Sequence, residues 1–391
     1  MRSSTGRVSS IFVAALIVAG SAAAQERPQP SDEQRQRENV TAPPEEPGWF
    51  ERRIRSLSKP SGSRTGFFVA FGGIKTGSGV ALGPGFRLVS PSGAMLESKA
   101  GYSVRNFKLA QVAVTSRPLG PHALTFGARA RWQDAPLLPV HALGNVSDRT
   151  RGDYAERKTE ASINASMDPW RLRLDASAGF ERFDTGPSHS RNPPLDAVFP
   201  NIPGLYANPD YLHGAAGLAF DTRDGESYAR RGSRLGVSLH RYHQQNAGSL
   251  SFDRADLEGE RYLPFDRLHA VVFLGARASF TSPRPGNGVP FFLMPTLGGG
   301  SALRGYSNYR FRDRHALLLT GEYRWLAGRS IDVAVFYDAG KVAATRAGLN
   351  LRGLHRDVGV GVRLHGAKTT ALRLEVARGT EGLRVVLAFG K

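Results

Sequence analysis

Val358, Val360, Val362 and Leu364 alternate with Asp357, Gly359, Gly361, Arg363 and His365. Successive side chains of a strand point to opposite faces, so such a stretch makes a strand with one apolar and one polar face. The same parity recurs along the chain. Leu172, Leu174, Ala176, Ala178 and Phe180 oppose Arg171, Arg173, Asp175 and Ser177; Leu235, Val237 and Leu239 oppose Arg234, Ser238 and His240; Thr370, Leu372, Leu374 and Val376 oppose Arg373 and Glu375. The polar faces carry small residues and charges of both signs. A soluble sandwich packs its apolar faces together, whereas a transmembrane barrel turns them to lipid and lines its lumen with the polar ones. Alternation by itself leaves both open.

Strand length and strand ends favour the barrel. Trp170 and Phe180 share one apolar face, about 33 Å apart along a strand, or about 23 Å in height at a tilt of about 45°. That is the height of an apolar band flanked by aromatic girdles, and Tyr323 with Trp325 repeats the pattern. The predicted strands are 66–75, 78–90, 94–105, 107–117, 121–132, 154–166, 169–181, 211–221, 233–242, 249–262, 268–280, 315–325, 330–338, 355–365, 369–377 and 382–389. They number about 16, an even count as single-chain bacterial barrels have. Short connections (Ser92-Gly93, RPLGP, Asp168-Pro169, Pro264 to Arg267, HGAK) alternate with long ones at 133–153, 182–210, 281–314 and 339–354. Short ones suit periplasmic turns and long ones external loops.

The start of the chain fits export. Arg2 and Arg7 precede an apolar stretch from Ile11 to Ala19 and the small residues Ala22-Ala23-Ala24, so residues 1–24 read as a signal peptide. The apolar run is shorter than the roughly 20 residues of a spanning helix. Residues 25–63 are polar and proline-containing and read as a disordered periplasmic lead, with the barrel over 64–391. Forty-five glycines argue against a helical bundle, and without cysteine no disulfide contributes. The net charge of +18 invites a nucleic-acid reading. Export directs it instead to anionic lipid and lipopolysaccharide, or to an aqueous lumen.

The loop between the eleventh and twelfth strands reads LGGGSALRGYSNYRFRDR, residues 297–314. Gly298-Gly299-Gly300 precede Leu303-Arg304-Gly305-Tyr306, which resembles the (V/L)RG(F/Y) motif of the BamA/TamA surface-antigen superfamily of outer-membrane assembly and secretion barrels. Three further elements match in order: Glu322 in LLLTGEYRW, Phe336-Tyr337-Asp338-Ala339-Gly340 as F-x-D-x-G, and the turn at 220–237. The last strand, with Leu383, Val385, Leu387 and Phe389 on one face, resembles the C-terminal signal of outer-membrane barrels. The resemblance covers the C-terminal half by motif and the N-terminal half by strand count. It implies that loop six folds back into the lumen.

Parity agrees with that implication. Glu322 and Arg324 on the twelfth strand, and Asp332, Phe336 and Asp338 on the thirteenth, fall on the inner face. A guanidinium can bridge two carboxylates with its planar fork. Arg304 is the candidate latch, Gly305 permits close backbone approach, and Tyr306 packs on the wall. The plainer alternative is a surface loop with Arg304 solvated and the acids paired to Arg324 or Arg373.

Other chemistry is poorly supported. No Lys-Ser/Thr pair follows the glycines, so they are not a phosphate loop, and no H-E-x-x-H or G-x-S-x-G appears. The expectation is therefore a non-enzyme without metal or cofactor. The sequence departs from the resembled superfamily ahead of the barrel, where residues 25–63 are too few for a POTRA module. The resemblance implies client polypeptides, and this departure implies a separate periplasmic adaptor. Three functions stay in play: membrane-protein insertion or polypeptide or lipid translocation, with a seam between first and last strands as lateral gate; a passive or anion-preferring channel, from inward Arg171, Arg173, Arg234, Arg277 and Arg363; and a structural surface barrel.

Overall fold

The computed structural model describes residues 65–389, apart from 147–149, 189, 227, 266–268, 328–329 and 367–369. The signal peptide at 1–24 and the lead at 25–63 lie outside the described residues. Period-two alternation becomes sixteen strands: β1 Gly66–Gly72, β2 Ala81–Val89, β3 Met95–Ser103, β4 Lys108–Thr115, β5 Thr125–His141, β6 Arg151–Met167, β7 Leu172–Pro187 and β8 Asp210–Asp221. They continue as β9 Gly232–Gln244, β10 Phe252–Phe265, β11 Ala270–Pro283, β12 His315–Leu326, β13 Ile331–Ala343, β14 His355–His365, β15 Thr370–Gly379 and β16 Gly382–Phe389. Each pairs antiparallel with its sequence neighbours in one meander.

The two faces separate as the parity predicts. On β14, Val358, Val360 and Val362 are about half exposed, while Asp357 and Arg363 are buried. Contacts between distant strands show that the sheet curls on itself. Tyr228, between β8 and β9, donates its hydroxyl to Asp332 of β13 at 2.8 Å. Asn145, between β5 and β6, donates to the Gly353 carbonyl between β13 and β14 at 2.8 Å and accepts from the Val342 amide at 3.2 Å. Among the described residues no ladder joins β1 to β16.

Several boundaries differ from the sequence reading. Strands β5 and β6 run on to His141 and from Arg151, so most of the loop expected at 133–153 is hairpin. A register shift between Ala135 and Leu138 absorbs Pro136, and the hairpin then buries Leu138, Val140 and Tyr154. Strand β1 stops at Gly72 rather than at 75. Trp170 is not in the strand: it sits in the turn before β7 with φ 59°, exposed and packed on Phe220 at 6.0 Å. Arg171 shares that turn, its guanidinium 5.4 Å from the Trp170 ring centroid, so it is not a luminal strand residue.

The largest apolar cluster among the described residues is built by the external loops and hairpin ends. Ile74, Phe107, Leu138, Tyr154, Leu195, Ile202 and Phe291 form it, joining loops one to four and loop six. The one-turn helix Leu195–Val198 of loop four packs against β6, and Phe291 meets Tyr154 edge-on at 4.8 Å. A second cluster seats loop six on β12 and β13 through Leu297, Leu303, Tyr306, Phe311, Leu318 and Val342.

Candidate functional site: the loop-six latch

Loop six leaves β11, makes a short 3-10 turn at Phe291–Leu293, and closes a two-rung ladder of Thr296–Leu297 with Phe311–Arg312. The segment 298–310 between these rungs is thereby held as a compact turn on the inner wall. Gly298 has φ +108°, and a Cβ there would come within 2.2 Å of the Ser307 carbonyl oxygen. Gly305 sits so close to β14 and β15 that a Cβ would lie 2.6 Å from both the Asp357 Cβ and the Gly379 amide nitrogen.

Arg304 is 4% exposed and makes four hydrogen bonds to three carboxylates. Its Nε and Nη2 grip Asp338 at 2.7 and 3.0 Å, while Nη1 donates to Glu322 at 3.2 Å and to Glu375 at 3.0 Å. The guanidinium carbon stands 3.3 Å from the Phe336 ring centroid. This uses the bidentate fork and the planar face of arginine together. Burial opposes the Arg304 charge, but the bonds to Asp338 and the charges of Glu375 and Glu322 outweigh it, so its pKa lies above the ordinary value. The residue is cationic at every working pH.

The neighbouring motif residues complete the seat. The Gly305 amide donates to Asp357 at 3.0 Å, and Tyr306, fully buried, donates its hydroxyl to the Arg356 carbonyl at 3.1 Å. Asp338 and Asp357 are register partners on β13 and β14. One is taken by Arg304 and the other by the Gly305 amide, so the loop relieves a like-charge confrontation on the wall. Leu303 is buried in the second cluster. Gly340 leaves room for Leu297, whose Cδ1 would lie 3.0 Å from a Cβ there.

Glu375 is the counter-charge that the sequence did not single out, whereas Arg324, Arg363 and Arg373 carry the inward parity expected of them and join the same network. Glu375 on β15 is fully buried and bonds Arg304; Arg324 and Arg363 both pair with Glu322, the latter at 2.6 Å; Arg373 donates to the Gly300 carbonyl at 2.8 Å. All four had inward parity. What strand parity lacks is curvature, which brings β15 within reach of a residue held against β13. The plainer alternative is partly present as well, because Glu322 pairs with Arg324 in addition to Arg304. Arg304 is not solvated. On β16, Leu383, Val385 and Leu387 face outward, more than half exposed. Phe389 is in the strand opposite Leu372, and its side chain lies outside the described residues.

The luminal arginines proposed for anion preference are engaged. Arg234 pairs with Asp221 and Glu258, Arg277 donates to the Ser301 carbonyl, and Arg173 pairs with Glu226 at 3.6 Å. Two cavities, of about 420 and 360 Å³, flank the latch, one lined by Arg234, Arg254 and Asp256, the other by Arg304, Glu322 and Arg373.

The sequence profile of the "Omp85 superfamily domain" matches residues 92–380, well over half of the chain. The chain belongs to the Omp85 superfamily. Among solved structures, this Omp85 barrel resembles BamA from Haemophilus ducreyi lacking POTRA domains 1–3, with a TM-score of 0.63 at 13% identity, covering 84% of this chain and 70% of that one. It also resembles CdiB from Escherichia coli, with a TM-score of 0.55 at 12% identity, covering 83% of this chain and 62% of that one. These likenesses establish a shared fold. A search of proteins with curated functions returned no match. The sixteen-stranded sheet is thus an Omp85 barrel of the bacterial outer membrane, and the resemblance drawn from its loop-six motif is borne out.

Proposed function

We propose that this Omp85 barrel inserts or translocates polypeptide at the outer membrane, with loop six as a luminal latch and the edges of β1 and β16 as a lateral exit. The observation that carries this reading is Arg304, bound by carboxylates of β12, β13 and β15 at once. A loop that only decorates the surface has no need of a buried cation on three strands. Loop six also spans the seam. Its Tyr309 hydroxyl donates to the Thr76 carbonyl beyond β1 at 3.1 Å, and its Arg310 Nε donates to Glu381 beside β16 at 2.6 Å. Strand β1 has seven residues, so its edge offers few ladder bonds to hold the seam shut.

A channel role draws support from the charged cavities beside the latch, but Arg234 and Arg363 are paired with carboxylates and Arg277 is tied to the Ser301 carbonyl of loop six. Adhesion is weakened because Leu143, Leu195 and Ile202 of loops three and four are spent on the external cluster. The deciding experiment is cross-linked affinity purification of the full chain from outer membranes. Recovery of nascent or secreted polypeptides, with or without a periplasmic adaptor, is expected. Recovery of lipid alone would refute the reading.

A further inference from the structure

The outward face carries an uneven charge pattern at its external end. On β4 to β10, four outward cations there each face an aspartate on a neighbouring strand: Lys108 and Asp134 at 3.5 Å, Arg157 and Asp184 at 3.4 Å, Arg182 and Asp210 at 2.7 Å, Arg241 and Asp253 at 2.9 Å. Strands β13 to β15 differ. Lys341, Arg356 and Arg378 share outward parity with Tyr337, Val358 and Val376, and each lies within two residues of the external end of its strand. Among the described residues none of the three has a carboxylate within ion-pair distance. The chain from Ala339 to Arg356 contains no acid, and loop seven adds Arg346 and Arg352, both exposed.

Height assigns this rim to a headgroup layer. Tyr337, about half exposed, ends the apolar run of Ile331, Val333 and Val335 on β13, where an aromatic girdle belongs. Lys341 lies four residues further on, about 13 Å along the strand and about 9 Å in height at a tilt of about 45°. Three adjacent strands thus present cations just beyond the hydrocarbon edge of the outer leaflet. Loop seven also leaves Leu351 two-thirds exposed beside Arg352.

We propose that Lys341, Arg356 and Arg378 form a binding site for the phosphate groups of the anionic lipid of the outer leaflet, the phosphorylated sugar headgroup of lipopolysaccharide. The guanidiniums donate to phosphate oxygens, the Lys341 ammonium adds a point charge, and the acyl chains lie against Val358, Val360 and Val376 below. The site anchors one side of the barrel, next to the β1–β16 edge, to a slowly exchanging lipid.

The test uses the full chain in nanodiscs, with bisphosphorylated lipid A, dephosphorylated lipid A and inorganic phosphate as probes. Triple substitution of Lys341, Arg356 and Arg378 to Gln is expected to weaken lipid A binding roughly tenfold or more. Substituting the paired Arg157, Arg182 and Arg241 to Gln is expected to leave it unchanged, which controls for folding and for bulk charge. Replacing Arg356 and Arg378 by Lys should retain most of it. Equal binding by the first triple variant and the unaltered chain would overturn the proposal, as would equal binding of dephosphorylated lipid A. Displacement of bound lipid A by millimolar inorganic phosphate would also overturn it, since the site would then serve free phosphate.

Discussion

At the residue scale, Arg304 joins three strands of the inner wall through Glu322, Asp338 and Glu375. Removing it strips Asp338 of its bidentate partner while register partner Asp357 stays opposite, whereas Glu322 retains Arg324 and Arg363. Breaking a buried pair by deleting one member costs about 3–5 kcal/mol. Arg304→Ala and Asp338→Ala are each expected to unseat loop six by an energy of that order, read as protease cleavage within 298–310 and a lower unfolding temperature in detergent. The double variant should lose less than the sum. Strict additivity would mean that the two side chains do not act on each other. Arg304→Lys is expected to fall near the alanine variant, because an ammonium cannot serve Asp338 bidentately and reach Glu375 as well.

At the scale of elements, the strands were legible because the bilayer imposes a two-sided surface on each, and Val358 to Leu364 shows it residue by residue. The exceptions have physical causes. The stretch DAPLLPVH in β5 reads as loop because proline is a poor strand residue, yet a bulge carries Pro136 and the hairpin edge tolerates Pro139. The inner acids Glu322 and Asp338 could be placed by parity, whereas Glu375 needed the curvature of the sheet, which brings β15 to a residue held against β13. The external cluster left a weaker trace: Val289 to Met294 is an apolar run inside a loop, a sign of burial that strand periodicity does not register. Loop six packs between the external cluster and the luminal latch. Deleting 298–310 is therefore expected to raise single-channel conductance in planar bilayers while reducing client recovery. A barrel already conducting strongly with the loop intact would argue for the channel reading.

At the scale of the molecule, the apolar material is divided between two solvents. The outward faces of the strands are stabilised by lipid, whereas Phe291, Tyr154, Leu195 and their neighbours are stabilised by one another above the bilayer. Struts such as Asn145 to Gly353 tie opposite sides of the mouth through that region. Thermal unfolding in detergent is expected to show two steps, loss of loop packing followed by loss of strand structure at higher temperature. A single transition with near-ultraviolet and far-ultraviolet circular dichroism superposed would exclude it.

That division also sets an order of events during biogenesis. The loop residues that make the external cluster must cross the bilayer before they can meet, carrying uncovered aromatic rings past the lipid interface. Until they meet, the mouth of the barrel lacks the packed loops that cover it in the folded chain. A surface protease or antibody encountering it in that interval would find Phe291 and Leu195 accessible, and the mature protein would hide both.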